Sequence, residues 1–133
     1  MKKPNLKFLS NGNVFSQSCP SREVLTLISS KWTLLIVPAL AAEPIRNSEL
    51  MRRIEGISQK MLTQTLKELE RNGLVIRTDH QTVPPHVEYQ LSPLGQSLNE
   101  ALIILDQWAE QHHHHVQSAR RVFDQKNAHP TTK

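Results

Sequence analysis

The chain is 133 residues long, enough for one domain with its own core and too short for two. Its formal net charge of +4 points toward a polyanionic partner, and its single cysteine, Cys19, excludes an intrachain disulfide and fits a reducing cytoplasm. The longest apolar stretch, residues 33–42, holds Pro38 and falls well short of the roughly 20 residues a membrane span requires; no apolar segment follows the basic start, so neither membrane insertion nor export is expected.

Residues 1–18 are polar and rich in Asn and Ser, and read as a flexible N-terminal arm. Pro20 suits the first turn of a short helix whose apolar face is Val24, Leu25, Leu27 and Ile28. A second helix is expected over residues 31–42; it is almost wholly apolar after Trp32, so it belongs at the centre of the fold, bent or shortened by Pro38. Pro44 breaks the chain, and Leu50, Met51 and Ile54 mark a third helix over residues 47–54.

The most informative segment follows. Ser58 is a good N-cap for a helix running to Asn72, and Gly73 supplies a common C-terminal stop. Leu62, Leu66 and Leu69 share one face, while Gln59, Lys60, Thr63, Gln64, Lys67 and Arg71 lie mostly on the other. Residues 74–78 and 87–91 read as antiparallel strands, the second alternating Val87, Tyr89 and Leu91 with Glu88 and Gln90. A polar loop stiffened by Pro84 and Pro85 joins them. From Ser92 and Pro93 a long helix carries the stripe Leu94, Leu98, Ala101, Leu102, Leu105, Trp108 and Ala109; beyond His115, residues 116–133 thin to a polar tail expected to fray.

Three helices, a tight turn, a fourth helix, a hairpin and a long helix make a mainly α fold with a small β-hairpin (α+β), in the order of a winged helix-turn-helix. An amphipathic helix with a polar face fits the major groove of DNA, about 12 Å wide. Ser58 at its N-terminus, with Gln59, Thr63 and Gln64, stands where base edges and a phosphate are met; Lys60 and Lys67 suit phosphates. Arg77, His80, Gln81, Thr82 and His86 place donors on the wing, and Arg46 and Arg53 border the motif, either gripping the backbone or balanced by Glu49 or Glu55. The bland alternative is a packed helix with a solvated face, since a helix-turn-helix pattern alone is weakly specific.

Several stretches, taken together, resemble the HxlR-type branch of the MarR-like winged-helix regulators. They are Cys19-Pro20, Ser30-Lys31-Trp32-Thr33, Arg46 with Glu49-Leu50, the run from Gly56 to Leu62, the run from Leu66 to Glu70, Gly73-Leu74-Val75, the run from Val83 to Ser92, Gly95 and Trp108. The Pro-Pro-x-Val-Glu-Tyr hairpin is the most specific. The resemblance implies one winged-helix domain over residues 19–115 and a homodimer built by the N-terminal segment and the long helix. The apolar stripe either packs wholly inside one subunit or, as is expected for so short a chain with little else to cover it, places Leu94, Leu98, Leu102, Leu105 and Trp108 at that interface. It further implies a pseudo-palindromic double-stranded DNA operator and regulation of nearby genes in the cytoplasm. The chain departs from the family at Asn47, where Phe is usual, at Ser30, where a smaller residue is usual, and at Pro38.

Cys19 lies at the mouth of a helix near Arg22, a setting that favours thiolate, so it is a candidate redox or electrophile sensor; the alternative is an inert, half-buried cysteine. His112 and His115 share a helix face, but no further ligands converge by sequence, so the histidine run reads as a solvated helix end and no metal or cofactor is expected. None of the common hydrolase, metalloprotease or phosphate-loop motifs occurs, so a non-enzymatic role is expected. A winged helix used for protein contact is the remaining alternative, and it would call for an acidic or apolar recognition face.

Overall fold

The computed structural model describes residues 15–128. Among these residues five helices and three short strands follow one another: α1 (Pro20–Ile28), α2 (Lys31–Ala39), β1 (Ile45–Arg46), α3 (Asn47–Arg53), α4 (Gln59–Arg71), β2 (Val75–Asp79), β3 (Val87–Leu91) and α5 (Pro93–Asn127). Most of the expected arm and the end of the tail lie outside the described residues. Among the described residues no helix is long and apolar enough to cross a membrane.

The core forms where α2, α3 and α4 meet the sheet. Ile36, Val37 and Leu40 from α2 and its C-terminal end pack with Leu50, Leu62, Leu66 and Leu69. Burying side chains of this kind contributes about 1.5–3 kcal/mol each. Trp32 packs half-buried against this cluster, with Lys31 Nζ 4.5 Å from its ring centroid. Helix α2 ends at Ala39, three residues before the expected end. Pro38 contributes no N–H to the helix, and the Leu40 N–H closes the last turn on the carbonyls of Ile36 and Val37.

The sheet has the order β1-β3-β2 and is antiparallel throughout. Strand β1 was not expected; two residues give no periodicity to detect, and it exists because β3 has a free edge. The pairings Ile45↔Tyr89 and Arg46↔Glu88 on one side of β3, and Arg77↔Tyr89 and Thr78↔Glu88 on the other, fix which side chains share a face.

Helix α5 is the largest departure from expectation. It does not give way to a fraying tail at Val116 but runs 35 residues to Asn127, about 52 Å at 1.5 Å per residue. Residues 116–127 contain neither Gly nor Pro, and half of them are the good helix formers Ala, Arg, Gln or Lys, so polarity does not interrupt the helix. Gly95, Asn99 and Leu102 form its buried face. Leu102 is only 3% exposed and belongs to the chain's own core, which corrects its assignment to the dimer interface.

Candidate nucleic-acid interface

Helix α4 begins at Ser58, whose side chain accepts a hydrogen bond from Met61 N–H at 3.0 Å. This interaction occupies Ser58 as a cap, so its contribution to any ligand site is to set where the helix starts. Asn72 closes the other end, and Gly73 follows at φ +78°, a left-handed conformation that glycine adopts without strain. Leu62, Leu66 and Leu69 are buried, while Gln59, Lys60, Thr63, Gln64 and Lys67 are exposed, as the helical period requires. Gln59 Nε2 donates to Thr63 Oγ1 at 2.9 Å, so these two polar side chains are already aligned on one face.

The sheet brings a further cation to this helix. Arg77 sits opposite Tyr89 on the same face of the hairpin, and the two join Thr63, Lys67 and Glu70 around a cleft of about 370 Å³. Helix α4 and the hairpin therefore share one groove with Lys67 and Arg77 on its walls. Glu70 was not anticipated there, although its position one turn beyond Lys67 was visible in the sequence.

Other candidates are less free. Arg53 Nε donates to Glu49 Oε2 at 3.0 Å and its Nη2 lies 3.8 Å from Glu43 Oε2; Arg52 also pairs with Glu49. Hydrogen bonding from Arg53, with the positive charge of both arginines, holds the Glu49 carboxyl below its ordinary value. Of the two acids expected to balance these arginines, Glu49 does so, and Glu43 takes the place expected for Glu55. Arg46 Nη2 donates to His86 Nδ1 at 2.8 Å. In the wing, Gln81 takes φ +54° with its N–H on Asp79 Oδ1, and Thr82 Oγ1 donates to the Pro84 carbonyl. His80 and His86 both turn toward Glu88, a residue the sequence reading left without a role. Val83, 98% exposed, forms an apolar wing tip that was also missed.

Residues 27–117 match the family model for HxlR-like helix-turn-helix proteins. The chain belongs to the HxlR-like family. It is 47% identical over 102 residues to the HTH-type transcriptional regulator YtfH of Escherichia coli (strain K12), covering 77% of this chain and 81% of that one. Among solved structures, the transcriptional regulator YtfH of Salmonella typhimurium is 43% identical and superposes with a TM-score of 0.77, covering 83% of this chain and 98% of that one. The redox regulator HypR in its reduced form is 32% identical with a TM-score of 0.70, covering 74% and 98%. As an HxlR-like protein the chain is a winged helix-turn-helix transcriptional regulator, and its relatives are regulators rather than enzymes.

The remaining candidates sit away from the groove. In the HxlR-like chain Cys19 is the N-cap of α1 and only 6% exposed. Arg22 turns its guanidinium to the Phe15 carbonyl at 3.3 Å. On α5, Leu94, Leu105 and Trp108 are exposed and Leu98 is half-buried; Leu94 and Leu98 join Val24, Leu27 and Ile28 around an apolar groove of about 260 Å³.

Proposed function

We propose that this chain is a cytoplasmic homodimer that binds a pseudo-palindromic double-stranded DNA operator in a sequence-specific way. The observation that carries the reading is the shared groove, with Thr63 and Lys67 from α4 facing Arg77 from the hairpin. With Lys67 and Arg77 against the single acid Glu70, its lining carries a net positive charge, which favours a polyanion over the acidic or apolar face that a protein-contact winged helix would call for. Gln59, Thr63 and Gln64 reach base edges in the major groove, and Lys60 and Lys67, two turns apart on the same helix face, hold phosphates. Arg77, Gln81 and Thr82 follow the backbone beside the wing, while Arg46, Arg53, His80 and His86 join only by exchanging present partners for phosphate. The dimer is supported by Leu94, Leu98, Leu105 and Trp108, which form an apolar helix face that the described residues leave partly or wholly uncovered.

Anisotropy titrations on operator and random duplexes test this. Lys67→Ala should weaken both alike and reduce the slope of log affinity against log salt by about 1, whereas Gln59→Ala should change the preferred base at one position of each half-site. Equal losses on both duplexes for both variants would refute this division of roles. Half-sites should be spaced by about 10–10.5 bp or a multiple of it.

Redox control through Cys19 is the second reading, favoured by the likeness to the redox regulator HypR and by the place of Cys19 at a helix N-terminus. Because the residue is buried, oxidation would require the start of α1 to open first. If diamide releases Cys19→Ser from DNA as readily as the unaltered chain, this reading fails.

A further inference from the structure

His80 stands where the wing loop leaves β2, His86 where it returns, and Glu88 two residues later on β3. The backbone holds all three. His80 N–H donates to the His86 carbonyl at 2.9 Å and closes the loop, and Glu88 is paired with Thr78 on one side and Arg46 on the other. As a result one ligating atom from each of the three side chains lies within 4.8 Å of the others. His80 Nε2 is 3.0 Å from Glu88 Oε1, and His86 Nε2 is 3.2 Å from Glu88 Oε2.

We propose that His80, His86 and Glu88 form a divalent transition-metal site in the wing, with two imidazole nitrogens and one carboxylate as ligands and Zn(II) as the fitting ion. Imidazole with carboxylate is a donor set that Zn(II) and Co(II) accept, and three protein ligands leave a further position for water. Bonds of about 2.0–2.1 Å put tetrahedral ligands about 3.3 Å apart; the two histidine–carboxylate separations, 3.0 and 3.2 Å, are close to that, while the three ligating atoms together lie within 4.8 Å and would draw in around an ion. An ion-pair network alone leaves one atom unexplained. His86 Nε2 is buried, and although near Glu88 it makes no well-angled hydrogen bond. A buried polar atom without a partner is costly, and a metal ion would supply that partner.

Arg46 opposes the ion and makes the proposal specific. A guanidinium only donates, so the contact from Arg46 Nη2 to His86 Nδ1 requires an unprotonated Nδ1 and, in the neutral ring, a proton on Nε2. Metal on Nε2 reverses this: the proton moves to Nδ1 and Arg46 must leave. Arg46 is exposed and can swing into solvent. Metal binding and the Arg46 contact therefore exclude one another.

The test is a Co(II) titration of the full chain followed by visible absorption, with no DNA present, so that its outcome is independent of the operator reading. Because His112–His115 can also collect metal, the titration is repeated on a chain carrying glutamine at those four positions. The site predicts stoichiometric uptake of one Co(II) per chain in that background, its loss in His80→Ala and in Glu88→Gln, and displacement of the Co(II) spectrum by Zn(II). Arg46→Ala should tighten binding by about two- to tenfold, the worth of one competing hydrogen bond, an effect no damaged fold would produce. The proposal is overturned if the glutamine background takes up no Co(II), if uptake there survives both wing substitutions, or if Arg46→Ala weakens binding.

Discussion

Glu49 receives hydrogen bonds from both Arg52 and Arg53, and this arrangement sets what the two arginines can offer DNA. The i, i+3 and i, i+4 spacing makes the pairing visible in the sequence. Glu43, brought alongside by the turn before β1, is not visible there, because no local period links it to Arg53. Nor is the approach of His80 to Glu88 across the wing, which depends on hairpin register and the left-handed residue Gln81. Exposed pairs contribute little to stability, so Glu49→Gln should leave the fold intact. The same substitution removes a negative charge that holds Arg53, and DNA affinity should rise by about two- to fivefold in a low-salt anisotropy assay. The pH dependence has a definite sign. The Glu49 carboxyl is lowered on folding, so its stabilising contribution is full above its ordinary value of 4.5 and is lost as pH falls below that through the folded value. Urea midpoints across that acid range should therefore fall less steeply in Glu49→Gln than in the unaltered chain. An unchanged acid limb would remove Glu49 from the account.

Among the elements, those with a strong local period were legible in the sequence and those created by tertiary pairing were not. Helix α4 starts and stops where Ser58 and Gly73 predict, and β2 and β3 fall within a residue of expectation. Gly95 carried the family resemblance without an evident physical role, and packing supplies one. A Cβ added there would lie 2.1 Å from the Leu74 carbonyl oxygen and 3.2 Å from Leu91 Cβ, so α5 is pressed directly against the backbone where the hairpin begins. Ser92 fastens the same corner: its Oγ donates to the Gly73 carbonyl at 2.6 Å and accepts from Gly95 N–H at 3.0 Å, while its own N–H donates to the Leu74 carbonyl. The end of the recognition helix, the start of the wing and the start of α5 thus share one anchor. Gly95→Ala should cost about 2–3 kcal/mol through backbone overpacking, and Ser92→Ala about 1–2 kcal/mol through loss of the cap and the buried bond. Thermal unfolding checks both. A Gly95→Ala chain as stable as the original would mean that α5 can back away from the hairpin freely.

For the whole molecule, the question is what covers α5. Its buried face ends at Leu102, and among the described residues the next 25 find no comparable cover: Ile103, Ile104, Leu105, Trp108, Val122 and Phe123 are all substantially exposed. Leu94, Leu98, Ala101, Leu105, Trp108, His112, His115, Ala119 and Val122 recur at alternating spacings of four and three, the seam spacing of helices that pack on one another. The first half of this stripe was legible in the sequence. The second half was not, because His112 and His115 stand in it as polar residues and disguise the repeat. Trp108 stacks on His112, with ring centroids 4.9 Å apart, and the His112 Nδ1–H donates to the Trp108 carbonyl at 2.9 Å, so this part of the seam is ordered before any partner arrives. If a second copy covers the seam, a charge at its centre must be buried twice per dimer. Trp108→Glu should then raise the dimer dissociation constant by on the order of a hundredfold or more, while leaving the helical circular dichroism of the winged domain in place. Light scattering across a dilution series reads the association directly. Truncation after Gln111 should weaken the dimer by a smaller factor, since the proximal stripe and the α1 groove remain. Operator affinity should fall with dimerisation in both variants and recover at high protein concentration, because two half-sites on one face of the duplex are held only by a paired reader. A Trp108→Glu chain that stays dimeric at every dilution would place the interface elsewhere, on α1 alone.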